Sequence, residues 1–396
     1  MEAYLLDWAN LLIRWLHFIA GVAWIGASFY FVMIDSSLSK PARKQDEERG
    51  VTGELWAVHG GGVYQSQKFL LGPVGEPLAE NLHWSKWEAY TTWLSGMGLL
   101  AVVYWFGAKT YLIDQQVMAL SETSAIAISI GFLVGGWIVY NLLCKALRGK
   151  DSLLAGIIFV LVSLSAWVLF QLFSARGAFL HVGAMMGTIM AANVFFQIIP
   201  GQKRVVAQMR AGETPDAEPG IIGKQRSVHN TYFTLPVLFI MISNHYPMTY
   251  SNEHGWLVLI FIMLAGVLIR QYFVLRHSHR ASPALPAIAV VLLLSMVWYL
   301  SPATIEIDDA SRVSETQIAQ IMETRCVACH ASQPTQPGFV EAPLGIVLES
   351  PELILNLAER IATTVQNKYM PIGNLTGMTD QERATVARWY AQIQQP

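Results

Sequence analysis

The sequence predicts an all-α protein: a polytopic membrane helix bundle of eight transmembrane helices, followed by a small water-soluble helical domain. Three observations carry this. Of the 396 residues, 53% are apolar and only 14% charged, whereas soluble domains carry about 25% charged residues. Crossing a bilayer takes roughly 20 mostly apolar residues. Eight runs meet that need, at 9–34, 84–107, 122–143, 152–174, 178–199, 229–247, 254–275 and 283–301. After the last run the composition changes, and 311–396 has the charge content of a soluble domain. A net charge of −2 gives no field that would attract nucleic acid.

The first run is too long for a cleavable signal peptide, and it is flanked by Glu2 and Asp7 rather than by basic residues. Lys40, Arg43, Lys44, Arg49 and Lys68 follow it, and the segment 35–83 is too long to be a bare connection. Within that segment, aromatic and β-branched residues flank Gly60, Gly61 and Gly62, which predicts a hairpin. Other basic clusters are Lys145, Arg148 and Lys150, then Lys203, Arg204, Arg210, Lys224 and Arg226, then Arg276 and Arg280. All fall in odd-numbered loops, while the even ones hold only Lys109 and Arg176. The positive-inside rule then makes the odd loops cytoplasmic and puts both termini outside, in the periplasm of a Gram-negative cell. Residues 201–228 read as a flexible cytoplasmic connection. Leu16-His17 in the first run and Leu180-His181 in the fifth, each followed by small residues and then phenylalanines, mark a candidate duplicated four-helix unit.

The domain boundaries expected are 1–303 for the membrane part, 304–310 for an acidic linker with Glu306, Asp308 and Asp309, and 311–396 for the tail. Helices are expected from Glu315 to Thr324 and from Asp380 to Gln394, the second opened by a Thr379-to-Glu382 capping box. Cys326-Val-Ala-Cys329-His330 is a C-x-x-C-H sequence, the signature of covalent haem c attachment. Two thiols at this spacing add across the two vinyl groups of one porphyrin, and the next residue places an imidazole under the iron. Chance placement would produce such a motif about once in a few thousand chains of this composition. A zinc site would need a second ligand pair, and no βαβ pattern supports a thioredoxin-like pair. The sixth ligand expected is Met370, in Tyr369-Met370-Pro371-Ile372-Gly373-Asn374, since a thioether raises the reduction potential. Met378 is the rival, but it lies directly before the capping box, where an apolar residue has a packing role. The tail resembles a small class I cytochrome c over its whole length.

Leu16-His17 through Trp24-Ile25-Gly26, His229-Asn230-Thr231-Tyr232-Phe233-Thr234-Leu235-Pro236 and Ser243-Asn244-His245-Tyr246-Pro247 resemble the bacterial membrane-bound, cytochrome-c-linked urate oxidases. The resemblance covers essentially the whole chain. It implies a multi-pass protein of the bacterial inner membrane with a periplasmic cytochrome domain. It also implies oxidation of urate to 5-hydroxyisourate, with electrons passing through the chain's own haem c to a soluble or membrane cytochrome or a terminal oxidase, and no hydrogen peroxide formed. His17, His181 and His245 are the candidate catalytic histidines, because ionisable groups in a bilayer default to function. Arg14 is a candidate partner for anionic urate, or it snorkels. His229 and His83 sit at cytoplasmic run ends, where interfacial solvation explains them, and His59 lies in the loop. Urate gives up two electrons and one haem c takes one at a time, so His17 and His181 also make a candidate site for a second haem b or a metal. Two other functions stay open: a quinol-oxidising membrane electron carrier, and a transporter or metal-handling module with a fused cytochrome c.

Overall fold

The structure, a computed structural model, describes residues 2–277, 280–301, 312–336 and 339–394. The acidic linker 304–310 and His279 lie outside these residues. Helix covers each of the eight apolar runs. Helix α1 (Glu2–Ser37) has 36 residues without a proline, about 54 Å of helix, so it projects past a ~30 Å hydrocarbon layer. Trp15, Phe18, Val22 and Phe31 on α1 are exposed, as suits a lipid-facing helix. Then come α2 (Lys44–Glu48), β1 (Val51–His59), β2 (Gly62–Phe69), α3 (Trp87–Leu99), α4 (Glu122–Ala146), α5 (Asp151–Phe170), α6 (Ala175–Ala192), α7 (Ile199–Arg210), α8 (Glu218–Ser243), α9 (Gly255–His277) and α10 (Ala284–Tyr299). Among the described residues, five helical stretches combine the length and apolarity to cross a membrane, and α10 is a shorter apolar helix.

The predicted hairpin forms. β1 and β2 pair antiparallel with Trp56 opposite Gln65 and His59 opposite Gly62. Gly60 and Gly61 take φ of 58° and 84°, the pair of positive values that a type I′ turn requires. The buried Glu54 carboxylate accepts from the Ala42 amide at 3.1 Å and from Gln65 Nε2 at 2.8 Å, and Lys68 pairs with Asp35 at the end of α1.

Two helices switch to π-helical turns. α3 runs into one at Leu100–Trp105, and after Gly107 a second covers Ala108–Leu112. α6 passes through Asn193–Ile198 into α7. Pro200 explains the latter, because its ring and missing N–H disturb the preceding turn, and a wider turn absorbs the disturbance. The expected flexible connection 201–228 is therefore corrected. Its first part is α7, and its last part is the opening of α8, started by Pro219, leaving only 211–217 between them. Polar residues there lie on helices that extend the spans, and no apolar periodicity was needed to form them.

α6 lies at the centre with α4, α5 and α8 against it. Small residues make this possible: a β-carbon on Gly183 would sit 2.6 Å from Ile240 Cγ2, and one on Gly136 2.6 Å from Met185 Cγ.

The C-terminal module comprises α11 (Glu315–Arg325), α12 (Pro351–Asn356), α13 (Ala358–Gln366) and α14 (Asp380–Ile393). The predicted Thr379–Glu382 capping box is present, and a second box, Ser314–Gln317, opens α11. Ile318, Met322, Leu348, Ile361, Val365, Met378, Val386 and Trp389 form the core of the module.

Candidate functional site

In the C-terminal module, α11 delivers Cys326, Cys329 and His330 on the turn after its last residue. The amides of Cys329 and His330 both bond to the Cys326 carbonyl, at 3.1 and 2.9 Å, which holds the three side chains within one turn. Both thiols are free. Burial and the neighbouring Cys329 thiol push Cys326 up to about 12, and burial also raises Cys329. His330 Nδ1 donates to the Ile346 carbonyl at 2.9 Å, which leaves the Nε2 lone pair as the ligand and fixes the ring, as the outer partner of a metal-bound imidazole does. Among the described residues no grouping of three His, Cys, Asp or Glu side chains suits a bare metal ion, so the triplet lacks the further donors of a zinc site. Donors of this kind fit a haem held by two thioethers and one imidazole.

Met370 is half-buried in a loop clamped by the buried Arg383, whose Nη1 donates to the Met370 carbonyl at 2.6 Å and to that of Val365 at 2.9 Å. The rival Met378 is 1% exposed inside the core, where it packs.

A second polar cluster lies within the helical bundle, on α4, the π turn after α6, and α8. The Tyr140 hydroxyl accepts from Asn193 Nδ2 at 3.0 Å, which leaves its own proton for His229 Nδ1 at 2.7 Å. Asn193 Nδ2 also donates to Asn230 Oδ1 at 2.9 Å, and Cys144 Sγ lies 3.9 Å from His229 Nδ1. Arg226 is 2% exposed. Its Nη2 donates to Asn141 Oδ1 at 2.9 Å, and its guanidinium stands 5.0 Å from the Tyr140 ring. Sequence reasoning placed Arg226 with the loop basics and His229 at a solvated run end. Both readings are corrected, because α8 begins at Glu218 and carries them inside the bundle. The available signal was polarity within apolar runs: Asn193 sits between Ala192 and Val194.

The predicted catalytic residues do not converge. Arg14 is exposed and donates to Asn10 one turn away at 2.9 Å. His245 is exposed. His17 is anchored to α3 through Nδ1, 2.9 Å from the Thr92 carbonyl and 3.1 Å from Ser95 Oγ. His181 is fully buried, donating from Nδ1 to the Gly177 carbonyl at 2.8 Å and accepting at Nε2 from Ser129 Oγ at 2.7 Å. With both ring nitrogens used and His17 held by a different helix, the two do not fit a shared haem b or metal. His181 instead belongs to a packed aromatic group with Phe173 and Tyr104, at 4.9 and 6.1 Å. Tyr104 neighbours Tyr111 at 6.3 Å, and Arg176 stands 5.3 Å from the Tyr111 ring while donating to Asn244 at 3.1 Å. This group adjoins the Ala108–Leu112 turn, which touches the Ile372–Asn374 turn of the C-terminal module. A β-carbon on Gly373 would collide with the Thr110 carbonyl.

Long apolar helices around a buried polar seam, joined to a separate helical module, make a helical bundle compatible with a membrane protein. The chain belongs to the Urate oxidase N-terminal family, which it matches over residues 3–301. That family points to a urate-related oxidoreductase. No curated protein and no solved structure matches the chain.

Proposed function

We propose that the chain is a membrane-bound urate oxidase that exports electrons through its own haem c. The observation that carries this reading is the Cys326, Cys329, His330 ligand set on the same chain as a domain of the Urate oxidase N-terminal family. Urate and one water yield 5-hydroxyisourate, two protons and two electrons. When bound, the haem supplies one-electron acceptance, so each urate requires two transfers. Cys326 and Cys329 would hold the porphyrin, and His330 and Met370 would supply the side-chain donors to its iron. Arg383 keeps the Met370 loop in place, and Ile346 holds the His330 ring. Contact between Thr110 and Gly373 seats this loop against the bundle at the end where the topology rule puts the periplasm. The acceptor beyond the haem is a soluble or membrane cytochrome or a terminal oxidase. The test is stoichiometry in membranes with an added one-electron acceptor. Two equivalents of acceptor reduced per urate, with no hydrogen peroxide, supports the reading. Peroxide in step with urate loss overturns it.

A further inference from the structure

We infer that the buried Arg226–Asn193 cluster is the binding site for the urate monoanion, which takes the proposed function as its premise. Among the described residues Arg226 has no carboxylate partner. Its Nη2 is used by Asn141, but among the same residues Nε and Nη1 have no hydrogen-bond partner, and neither does Asn193 Oδ1. Asn193 is 0% exposed. An uncompensated buried cation is strongly unfavourable, and orphaned buried polar atoms call for an explanation. Together these groups offer two cationic donors and one amide acceptor. That is the complement of an anionic ring edge carrying alternating oxygens and N–H groups, which urate presents.

A further observation points to room for a ligand here. Gly223, one turn before Arg226 on α8, is buried, yet a β-carbon there would meet nothing within 4 Å. Open space therefore lies on the face of α8 that carries Arg226, one turn away. A flat aromatic wall borders the cluster, with Trp137 stacked on Phe196 at 5.8 Å and 21° and set 6.0 Å from Tyr140. Lys145 lies in the last turn of α4, and Arg148 beyond it pairs with Glu218 at 2.6 Å.

The test is urate binding to the full-length protein in detergent, kept anaerobic and fully reduced with dithionite so that no turnover occurs. Three proteins are compared by calorimetry and by thermal unfolding: wild type, Arg226→Gln and Gly223→Leu. Wild type binds urate and gains thermal stability from it. Arg226→Gln loses at least tenfold in affinity together with the urate-induced stabilisation, while its own midpoint without urate stays equal to or above wild type, since an orphan charge has been removed. Gly223→Leu fills the open space without touching a hydrogen bond and loses binding as well. Binding within twofold of wild type in both variants overturns the site. So does a fall in the urate-free midpoint of Arg226→Gln with the urate-induced stabilisation retained. If both variants bind urate and wild type still reduces its haem with urate, the site alone is wrong. If wild type neither binds urate nor is reduced by it, the functional reading falls too.

Discussion

The Tyr140 hydroxyl and His229 Nδ1 lie 2.7 Å apart, joining the middle of α8 to the C-terminal half of α4. The same hydroxyl accepts from Asn193, so one oxygen ties three helical segments together at the proposed urate site. Replacing Tyr140 with Phe takes the hydroxyl from His229 Nδ1 and leaves Asn193 Nδ2 with only Asn230, a cost of roughly 1–3 kcal/mol. Urate-driven haem reduction in the Tyr140→Phe protein is expected to slow about tenfold or more, a factor worth about 1.4 kcal/mol. Stopped-flow absorbance checks it, and dithionite reduction of the same sample serves as the control.

In the proposed function, covalent haem attachment rests on the C-x-x-C-H set and on no histidine of the bundle. A denaturing gel stained for haem should show a band in wild type and in His17→Ala and His181→Ala, and none in the Cys326→Ser/Cys329→Ser double variant. A haemochrome spectrum of wild type should show haem c alone. A haem b signal that disappears with His17 or His181 would contradict the separate hydrogen-bond partners of these rings.

The two methionines separate the proposed ligand from the core. Met370→Ala is expected to lower the reduction potential, since loss of the thioether removes the ligand that raises it, with little change in the stability of the apoprotein. Met378→Ala removes a side chain 1% exposed and should cost about 2–5 kcal/mol while the potential holds. Potentiometry and thermal unfolding of the two variants give opposite patterns.

How much of this was legible in the sequence follows from how local each signal is. C-x-x-C-H, the Gly60-Gly61 turn and the Thr379 capping box are set by neighbours in the chain, and each appears in the structure where the sequence puts it. The eight apolar runs correspond to helix for the same reason. Arg226 was not legible, because a basic residue beside an apolar run reads as loop, and only the start of α8 at Glu218 shows it buried. Asn193 and Asn230 come together through packing of α6 against α8, which no single-run periodicity encodes. His17 and His181 look alike in sequence, yet one meets α3 and the other α4.

Contact between the module and the bundle is tested at Gly373. Its φ of 55° strains any side chain, and a β-carbon would strike the Thr110 carbonyl. Gly373→Ala should cost about 1–2 kcal/mol for the backbone conformation alone. It should also slow haem reduction by urate while leaving reduction by dithionite unchanged. Equal slowing with both reductants would mean damage to the haem environment instead.

Acid sensitivity of the module has a named source. Burial acts to raise the Glu382 carboxyl, but the Thr379 amide and hydroxyl and the Arg325 guanidinium, 3.0 Å away, outweigh it and hold the group below the usual carboxylate value. A lowered native value stabilises the fold above the unfolded-state pKa, and that stability is lost as pH falls through the native one. The pair is partly exposed, so the contribution is about 0.5–1 kcal/mol. Glu382→Gln should therefore flatten the acid limb of the unfolding profile and change little below it, as measured by circular dichroism across pH.

The most direct measurement adds urate, without oxygen, to membranes holding the oxidised protein and follows the α band of haem c. The account predicts reduction within one turnover, two haems reduced for each urate consumed. No reduction by urate, alongside prompt reduction by a quinol, would contradict it.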